Sequence, residues 1–190
     1  MPPRRKGGVR LVAAVGDELG SLPGTTLGVG LVAAGVAVGR FLAEARPEAV
    51  VLVGTAGAYP GGPKIGAVVA ASELGLGSVA ATLSLGYVPR APGPLRADPG
   101  LNERIRLPTA RVLTALAITS SPELARQLGA GWEVEHMEAY AVAWACAEAG
   151  IPFAAVLGIT NDVGPNAHAE WLRHRVALQR AAQASVSSLL

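Results

Sequence analysis

Residues 133–162 hold two groups of polar side chains separated by an apolar stretch. Glu138 stands at the start of an Ala-rich run that predicts a helix. Residues 151–159 form a continuous apolar run, typical of a strand covered on both faces, and Asn161 follows them. Because ligands of α/β proteins bind beyond the carboxyl ends of the strands, we expect Glu138 and Asn161 to face one cavity. The alternative is that Glu138 only begins a helix and Asn161 only caps a turn.

Apolar patterns along the rest of the chain alternate between strand and helix. Strands are predicted over residues 10–15, 49–53, 67–71, 111–119 and 153–159. Helices are predicted over residues 31–45, 122–128, 139–149 and 167–190. Residues 72–110, Tyr87 and Arg90 included, have no clean period, and we predict loops and irregular strands there. The alternation indicates an α/β layer fold with a largely parallel sheet.

Composition excludes several classes of protein. With 190 residues, 51% of them hydrophobic, the chain has enough apolar side chain for one domain with a core. The net charge is +2 and the 16 basic residues are scattered, so no nucleic-acid partner is expected. Residues 19–39 carry no charge, but Pro23 and several glycines interrupt them. We therefore expect a loop and a buried helix there, and no membrane span.

The termini and the cysteine content bear on location. Residues 1–8 form a basic tail that we expect to be solvated, with residues 9–190 as the folded domain. The apolar stretch after the tail ends at Asp17, which argues against a signal peptide. Cys146 is the only cysteine and cannot form an intramolecular disulfide. A reducing cytoplasm is the expected setting.

Two short motifs in the second half of the chain carry a family resemblance. They read Met137-Glu138 at the start of a predicted helix and Ile159-Thr160-Asn161 after the next strand. This pair resembles the motif of the purine nucleoside phosphorylase and nucleosidase superfamily. The resemblance implies a single-domain, three-layer α/β/α fold with a mixed, mostly parallel central sheet. It also implies a homo-oligomer, a dimer or higher.

Further matches follow the family's order along the chain. Residues 28–34 read Gly-Val-Gly-Leu-Val-Ala-Ala and resemble the family's glycine-rich helix start. Residues 53–58 read Val-Gly-Thr-Ala-Gly-Ala and resemble its Gly-Ser/Thr-Ala-Gly loop. Residues 65–69 stand where the family has a Val-Gly-Asp-Ile-Val strand. Residues 16–19 follow the first strand, where nucleosidases of the family place an acidic residue.

The resemblance implies roles for Met137, Glu138 and Asn161. Breaking a purine N-glycosidic bond passes through a sugar with oxocarbenium character. The family pattern assigns Glu138 to the ribose hydroxyls and packs Met137 under the sugar. Asn161 then becomes the hydrogen-bond partner of the base, at N7 and at the six-position substituent.

The same resemblance places the attacking nucleophile near Glu18 and Thr55. Glu18 matches the carboxylate that activates a water. Thr55, Ala56 and Gly57 belong to a loop expected to bring backbone N–H groups and the Thr55 hydroxyl close to that nucleophile. The alternative for Glu18 is an exposed turn residue.

Hydrolysis is favoured over phosphorolysis by two departures from the phosphorylase pattern. Phosphorylases of the family surround phosphate with arginines, but the turn at residues 16–19 has none, and Val51-Leu52-Val53 precedes the predicted loop. A carboxylate at the phosphate position disfavours a dianion. A phosphate-dependent purine nucleoside phosphorylase remains an alternative, and a non-catalytic nucleoside-binding relative is a second one.

The identity of residue 161 bears on the base. Relatives specific for adenine have an aspartate there, whereas an asparagine amide can donate to a six-oxo group and accept from a proton on N7. Residues 163–166 and Trp171 also resemble the futalosine hydrolases, which take a 6-oxopurine. Asp162 is adjacent, however, and a shift of one residue restores the adenine-type acid of the methylthioadenosine/S-adenosylhomocysteine nucleosidases. Both alternatives stay open.

The remaining polar and aromatic residues give weaker predictions. His136 could touch the ligand, but a histidine before a helix is more often a cap or an interface residue. The histidines and Cys146 show no zinc spacing, so no metal and no cofactor are expected. The three tryptophans are predicted to make packing or subunit contacts. Residues 119–121, where family nucleosidases stack the base on a phenylalanine, contain no aromatic side chain.

Overall fold

The computed structural model describes residues 8–89 and 93–190. The strands are β1 (Val9–Ala13), β2 (Gly24–Thr26), β3 (Ala49–Ala58), β4 (Val68–Leu76), β5 (Leu95–Arg96), β6 (Thr109–Thr114), β7 (Val134–His136) and β8 (Phe153–Asp162). The helices are α1 (Gly16–Leu19), α2 (Leu31–Ala45), α3 (Val79–Thr82), α4 (Pro99–Ile105), α5 (Pro122–Leu128), α6 (Ala139–Glu148) and α7 (Ala167–Val186). A 3₁₀ turn, Ser187–Leu189, follows α7.

One mixed sheet contains all eight described strands. The parallel pairs are β1 with β2 and β3, β3 with β8, and β6 with β4 and β7. The antiparallel pairs are β3 with β7, and β4 with β5 and β8. The pairings β3–β8–β4–β6–β7–β3 therefore form a closed ring. The predicted mixed and mostly parallel sheet is confirmed.

Both faces of the sheet are covered, because successive side chains of a strand point to opposite faces. On one face, Val50 and Leu52 belong to a buried cluster with residues of α2 and α6. On the other face, Val51 and Val53 belong to a second buried cluster with residues of α4 and the end of α7. Helices on both sides of a central sheet confirm the three-layer arrangement.

Close backbone contact holds α7 against the sheet. Gly158 in β8 has no side chain, and a Cβ there would lie 2.7 Å from the Leu178 carbonyl oxygen. A larger residue would push the helix outward, since heavy atoms cannot approach so closely. This contact positions the α7 side chains that reach the cavity described below.

The segment 72–110 is more regular than its sequence pattern predicts. β4 continues to Leu76. α4 begins directly after Asp98, whose carboxylate accepts a hydrogen bond from the Leu101 N–H at 2.8 Å. An acidic cap followed by Pro99 is a helix-start signal that the search for periodicity missed. Tyr87 is 85% exposed and outside regular structure, as expected. Arg90 lies outside the described residues.

Several predicted boundaries are corrected. Strands β3 and β8 pair with each other as far as Ala58 and Asp162, so residues 54–58 are strand and not the predicted loop. The predicted strand over 111–119 ends at Thr114, because the Thr119 end leaves the sheet to bind a buried glutamate. Helices α2 and α5 have the predicted bounds. The short elements α1, β2, α3, β5 and β7 were not predicted.

Residues 1–7 lie outside the described residues, so the predicted tail and domain boundary stay predictions. Residues 19–39 contain the last residue of α1, β2, connecting segments and the first part of α2. The expected buried helix is corrected, because α2 buries one face with Ala34 and Val38 and leaves Val32 and Val36 exposed. In the part of the chain that the structure describes, no helix has the length and apolar character needed to cross a membrane.

Candidate active site

A cavity of about 550 Å³ opens beyond the carboxyl ends of β1, β3 and β8. This is the edge at which parallel strands of α/β proteins gather their ligands. Eight of the nine predicted site residues line it: Glu18, Thr55, Ala56, Gly57, His136, Met137, Glu138 and Asn161. The predicted convergence of Glu138 and Asn161 is therefore present in the fold.

Glu18 lies on the short helix α1 directly after β1, and it is buried. Its Oε1 accepts hydrogen bonds from the Thr55 N–H at 3.0 Å and the Thr55 hydroxyl at 3.2 Å. Burial raises the pKa of Glu18, while the hydrogen bond from the Thr55 N–H opposes that rise. The alternative of an exposed turn residue is wrong, because α1 turns the carboxylate inward. A buried carboxylate with a raised pKa is suited to accepting a proton.

Thr55 connects this carboxylate to α7. The Trp171 indole Nε1–H donates to the Thr55 hydroxyl oxygen at 3.2 Å, which leaves the hydroxyl proton for Glu18. The Trp171 ring stacks on His168 with centroids 5.9 Å apart, and the Arg175 guanidinium lies 5.1 Å from its centroid. Trp171 therefore belongs to the cavity wall, a position that its sequence pattern did not predict.

Glu138 occupies the N-cap position of α6 and also reaches the start of α2. Its Oε1 accepts a hydrogen bond from the Gly30 N–H at 2.6 Å. Gly30 has a φ of 90°, a backbone conformation that favours glycine, and it caps α2. The Glu138 carboxylate thus sits where two helices begin, and their positive ends favour a negative charge.

His136 performs the capping that its position predicts and also lines the cavity. Its Nδ1 accepts hydrogen bonds from the N–H groups of Glu138 and Ala139, both at 3.1 Å. The Glu138 Oε2 lies 3.2 Å from the same nitrogen. Because two backbone protons already point at Nδ1, that nitrogen carries no proton, and the contact with Oε2 is not an ion pair.

A strand irregularity positions Asn161. The β3–β8 register shifts between Ala56 and Gly57, so that Gly57 pairs with Asn161 and Thr160 is extra. Such a bulge changes the direction of the side chains that follow. The Asn161 amide packs over Gly57, where a Cβ would lie 2.7 Å from the amide nitrogen. The Thr160 hydroxyl donates to the Asn161 Oδ1 at 2.9 Å, which orients the amide.

Asp162 is the predicted site residue that the structure leaves outside the cavity. Its side chain is exposed, and its backbone N–H donates to Glu170 at 2.9 Å. The placement follows from strand geometry, since adjacent side chains point to opposite sides. The prediction of a substrate-binding Asp162 is corrected, and with it the one-residue shift that would restore an adenine-type acid.

Sequence reasoning also missed a buried network behind the cavity. The Glu135 carboxylate accepts hydrogen bonds from the Tyr59 hydroxyl at 2.8 Å and from the Thr119 N–H and hydroxyl at 2.9 and 2.6 Å. Burial, together with Glu135, raises the pKa of Tyr59. The network holds the segment that carries Ile118, which lines the cavity near the position where the sequence lacked an aromatic residue. The second glutamate of Glu-Val-Glu-His-Met-Glu was the available signal.

No metal centre is apparent in the described part of the chain. Residues 8–89 and 93–190 contain no group of three or more His, Cys, Asp or Glu side chains that could hold a metal ion. The cavity wall supplies carboxylates, an amide, hydroxyl groups and aromatic rings. This set suits the binding and cleavage of a polar organic molecule by acid–base chemistry.

Comparisons with known proteins agree with this arrangement. Futalosine hydrolase of Thermus thermophilus is 34% identical over 172 residues, which cover 83% of this chain and 76% of that protein. A futalosine hydrolase mutant of Helicobacter pylori has a TM-score of 0.85 at 16% identity, covering 96% of this chain and 98% of that chain. The 5′-methylthioadenosine/S-adenosylhomocysteine nucleosidase of Neisseria meningitidis has a TM-score of 0.83 at 19% identity, covering 96% and 97%.

At such identities the two structures establish the fold alone. The family follows from the sequence comparisons, because residues 6–190 match the model of the Phosphorylase superfamily. The matched residues include all of the described strands and helices and all of the residues that line the cavity. The chain therefore belongs to the Phosphorylase superfamily.

Proposed function

We propose that this chain is a nucleosidase that hydrolyses the N-glycosidic bond of a purine nucleoside. The observation that carries the proposal is the buried Glu18 carboxylate, held by Thr55 in the same cavity as Glu138. Family membership and the 34% identity with a futalosine hydrolase support it. The reaction class needs a proton acceptor for water and a group that stabilises a cationic sugar, and two carboxylates supply both.

Glu138 is proposed to bind the ribose hydroxyls. Its Oε1 is held by the Gly30 N–H, and its Oε2 makes no other hydrogen bond within the described residues beyond the close approach to His136. A carboxylate with one oxygen held at the start of a helix and the other free can accept hydrogen bonds from two neighbouring ribose hydroxyls. The negative charge stabilises the sugar as positive charge develops on it, more in the transition state than in the ground state. Met137 is proposed to pack under the sugar.

Glu18 is proposed to activate the attacking water. As the water oxygen bonds to the anomeric carbon, its proton passes to Glu18, the bond to the base nitrogen breaks, and that bond's electrons leave with the purine. A raised pKa makes Glu18 a stronger base than an ordinary glutamate. The Thr55 N–H and hydroxyl aim the carboxylate.

The charges in the cavity favour water over phosphate. Among the described residues that line it, Arg175 is the only arginine or lysine, and it lies 3.5 Å from Asp17. A phosphate dianion beside Glu18 would meet a negative charge with few cations to offset it. A phosphate-dependent phosphorylase is therefore the weaker alternative.

Asn161 supports a 6-oxopurine base, as in futalosine. Its amide offers one donor and one acceptor, which match a six-oxo group and a protonated N7. The exposed position of Asp162 weakens the alternative of a methylthioadenosine/S-adenosylhomocysteine nucleosidase, which would need a carboxylic acid at the base. The name of the Thermus relative, futalosine hydrolase, supports the same base.

Assembly and location are proposed on separate grounds. Exposed apolar side chains on several elements, among them Val32, Leu85 and Leu116, support a homo-oligomer. Cys146 is buried and unpaired, which fits the reducing cytoplasm expected from the sequence. Size-exclusion chromatography with light scattering tests the first proposal.

A substrate panel tests the proposed activity. Futalosine, inosine and methylthioadenosine are each incubated with the protein, with and without phosphate, and free base and sugar products are measured. We expect base release from the 6-oxopurine nucleosides at a rate independent of phosphate. Formation of a sugar 1-phosphate would make the chain a phosphorylase. If no nucleoside releases its base, the alternative of a non-catalytic nucleoside-binding protein is supported. Glu148→Gln, at an exposed position of α6, serves as the control variant for substitutions in the cavity.

A further inference from the structure

We infer that the Nε2–H of His136 and the Oε1 of Glu18 together hold the attacking water in the cavity, and that glycine at position 54 lets both groups lie close to the backbone of β3. The inference rests on the proposed hydrolysis and adds a second group to it. His136 then has two functions: one ring nitrogen caps α6 and the other positions the nucleophile. Such a water-positioning role requires a fixed tautomer, an unoccupied donor and room for a water molecule.

The tautomer follows from the hydrogen bonds at Nδ1. The N–H groups of Glu138 and Ala139 both donate to this nitrogen at 3.1 Å, so its lone pair is occupied and it carries no proton. A neutral imidazole with an unprotonated Nδ1 has its proton on Nε2. The start of α6 therefore fixes His136 as a donor at Nε2.

That donor has no protein partner. Within residues 8–89 and 93–190, no hydrogen bond to the His136 Nε2 is present, although the residue is 5% exposed and lines the cavity. Among the described residues only the Asn102 Oδ1 is a fully buried polar side-chain atom without a partner, so the His136 Nε2 faces the open space of the cavity. A water molecule in the cavity can therefore accept a hydrogen bond from Nε2.

Both groups lie close to Gly54. A Cβ placed on Gly54 would be 3.2 Å from the His136 Nε2 and 3.3 Å from the Glu18 Oε1. Both atoms therefore lie over the same face of Gly54, and no direct hydrogen bond joins them, so a water in the cavity can bridge them. A water there would accept a hydrogen bond from Nε2 and donate one to Oε1, which directs one of its lone pairs into the cavity.

The two functions of His136 are separable by substitution. The Asn side chain places an oxygen near the position of Nδ1 and has nothing at Nε2, whereas the Gln side chain places an amide N–H near Nε2 and nothing at Nδ1. We expect His136→Asn to keep the melting temperature near that of the wild type but to lower kcat at least about tenfold, with KM changed by less than about threefold. His136→Gln should retain more of kcat than His136→Asn while melting at a lower temperature.

Gly54→Ala tests the packing of both groups against β3 without changing the histidine. Its methyl group would press on the His136 Nε2 and the Glu18 Oε1, which must shift by a few tenths of an ångström and so lose the geometry that holds the water. We expect a folded protein with kcat lowered at least about tenfold and substrate-analogue binding retained. Gly39→Ala is the matched control, because a Cβ at Gly39 meets nothing within 4 Å.

Product partitioning supplies a readout that a purely structural role would not alter. In aqueous methanol, the sugar cation is captured by water or by methanol, and the ratio of methyl glycoside to free sugar is measured. Loss of the water-positioning donor should raise that ratio in His136→Asn by at least about threefold. Wild-type protein that releases no base from any nucleoside would overturn the proposed function. Wild-type activity together with full kcat and unchanged partitioning in His136→Asn and Gly54→Ala would overturn this inference alone.

Discussion

Two walls of the cavity differ in how they are held. The inner wall consists of Glu18, Thr55, His136 and Glu138, and the carboxylates and the imidazole there are buried and hydrogen-bonded to backbone N–H groups. The outer wall consists of Val29, Ile118, His168 and Trp171, of which Val29 and Ile118 are 60% and 55% exposed. The inner wall has the rigidity that bond cleavage requires, and the outer wall has exposed side chains that different substrates could contact.

This rigidity is maintained at a cost in stability. Burying the Glu18 carboxylate raises its pKa, so the folded state disfavours the ionised form that chemistry requires. The outer wall carries no such penalty, because its apolar side chains remain partly exposed. Substitution of Glu18 should therefore change turnover and stability together, whereas substitutions in the outer wall should change mainly substrate binding.

The largest effect is expected from Glu18→Gln. Loss of the proton acceptor should lower kcat about 10²–10⁴-fold, with ligand affinity retained within a factor of a few. The kcat/KM of the wild type should fall as pH decreases through the raised pKa of Glu18, at a pH above its ordinary value of 4.5. Steady-state kinetics across pH, with an assay of free base, measures both. Normal turnover in the variant would remove Glu18 from the chemistry.

The same variant tests the cost of the inner wall. A carboxyl whose pKa is raised by folding lowers stability as pH increases from its unfolded value through its folded one. Glu18→Gln should therefore melt at a higher temperature than the wild type at neutral pH, and the difference should vanish below pH 4.5. Thermal melts at several pH values check this. A lower melting temperature at neutral pH would contradict a destabilising Glu18.

Glu138→Gln should have the next largest effect. The glutamine oxygen can still accept from the Gly30 N–H, but the charge that stabilises the cationic sugar is lost. We expect kcat to fall at least about tenfold, ~1.4 kcal/mol, with little change in melting temperature. Kinetics and a thermal melt are compared with those of Glu148→Gln. Full activity in a normally folded variant would place the ribose elsewhere.

Asn161→Asp should change base preference more than rate. An aspartate can protonate N7 and accept from a six-amino group, so the ratio of kcat/KM values should move toward adenine nucleosides by about tenfold. Asp162→Asn is the matched control, since that side chain lies outside the cavity and should leave the ratio unchanged. An equal loss on both substrates would mean that Asn161 only shapes the strand end.

Trp171→Phe should have the smallest effect. The phenyl ring retains an apolar wall but lacks the N–H that donates to the Thr55 hydroxyl. We expect KM to rise a few-fold, with kcat lowered about twofold through a less firmly oriented Thr55. Trp144→Phe, on an exposed part of α6, should change neither value. A kcat loss as large as that of Glu18→Gln would assign Trp171 to the inner wall.

Local patterns predicted two of the polar groups that line the cavity. Glu138 and Asn161 follow from a helix start and a strand end, and both line the cavity. The bounds of α2 and α5 were predicted correctly: α2 begins after Gly30 and ends before Arg46-Pro47, and α5 begins at Ser121-Pro122 and ends before Gly129. The missed helix α4 is short, and its cap and proline were the only local signals.

The outer wall and the supporting contacts could not be predicted in the same way. Trp171 reaches Thr55 across 116 positions of the chain, and Tyr59 reaches Glu135 across 76. Neither contact leaves a periodic trace in the sequence, because each depends on how α7 and β7 pack against β3. The strand character of residues 54–58 also depends on partner strands that lie far away in the chain.

The sequence by itself determined which elements form and which chemical groups stand at their ends, since capping, periodicity and strand length are local properties. The tertiary structure decided which of those groups meet. A bulge at Thr160 aims Asn161 over Gly57, and the carboxylate next along β8 is left in solvent. The start of α6 fixes the His136 tautomer, and the absence of a side chain at Gly54 lets His136 and Glu18 pack against β3. These outcomes depend on distances of a few ångströms between residues far apart in sequence, which only the packed chain defines.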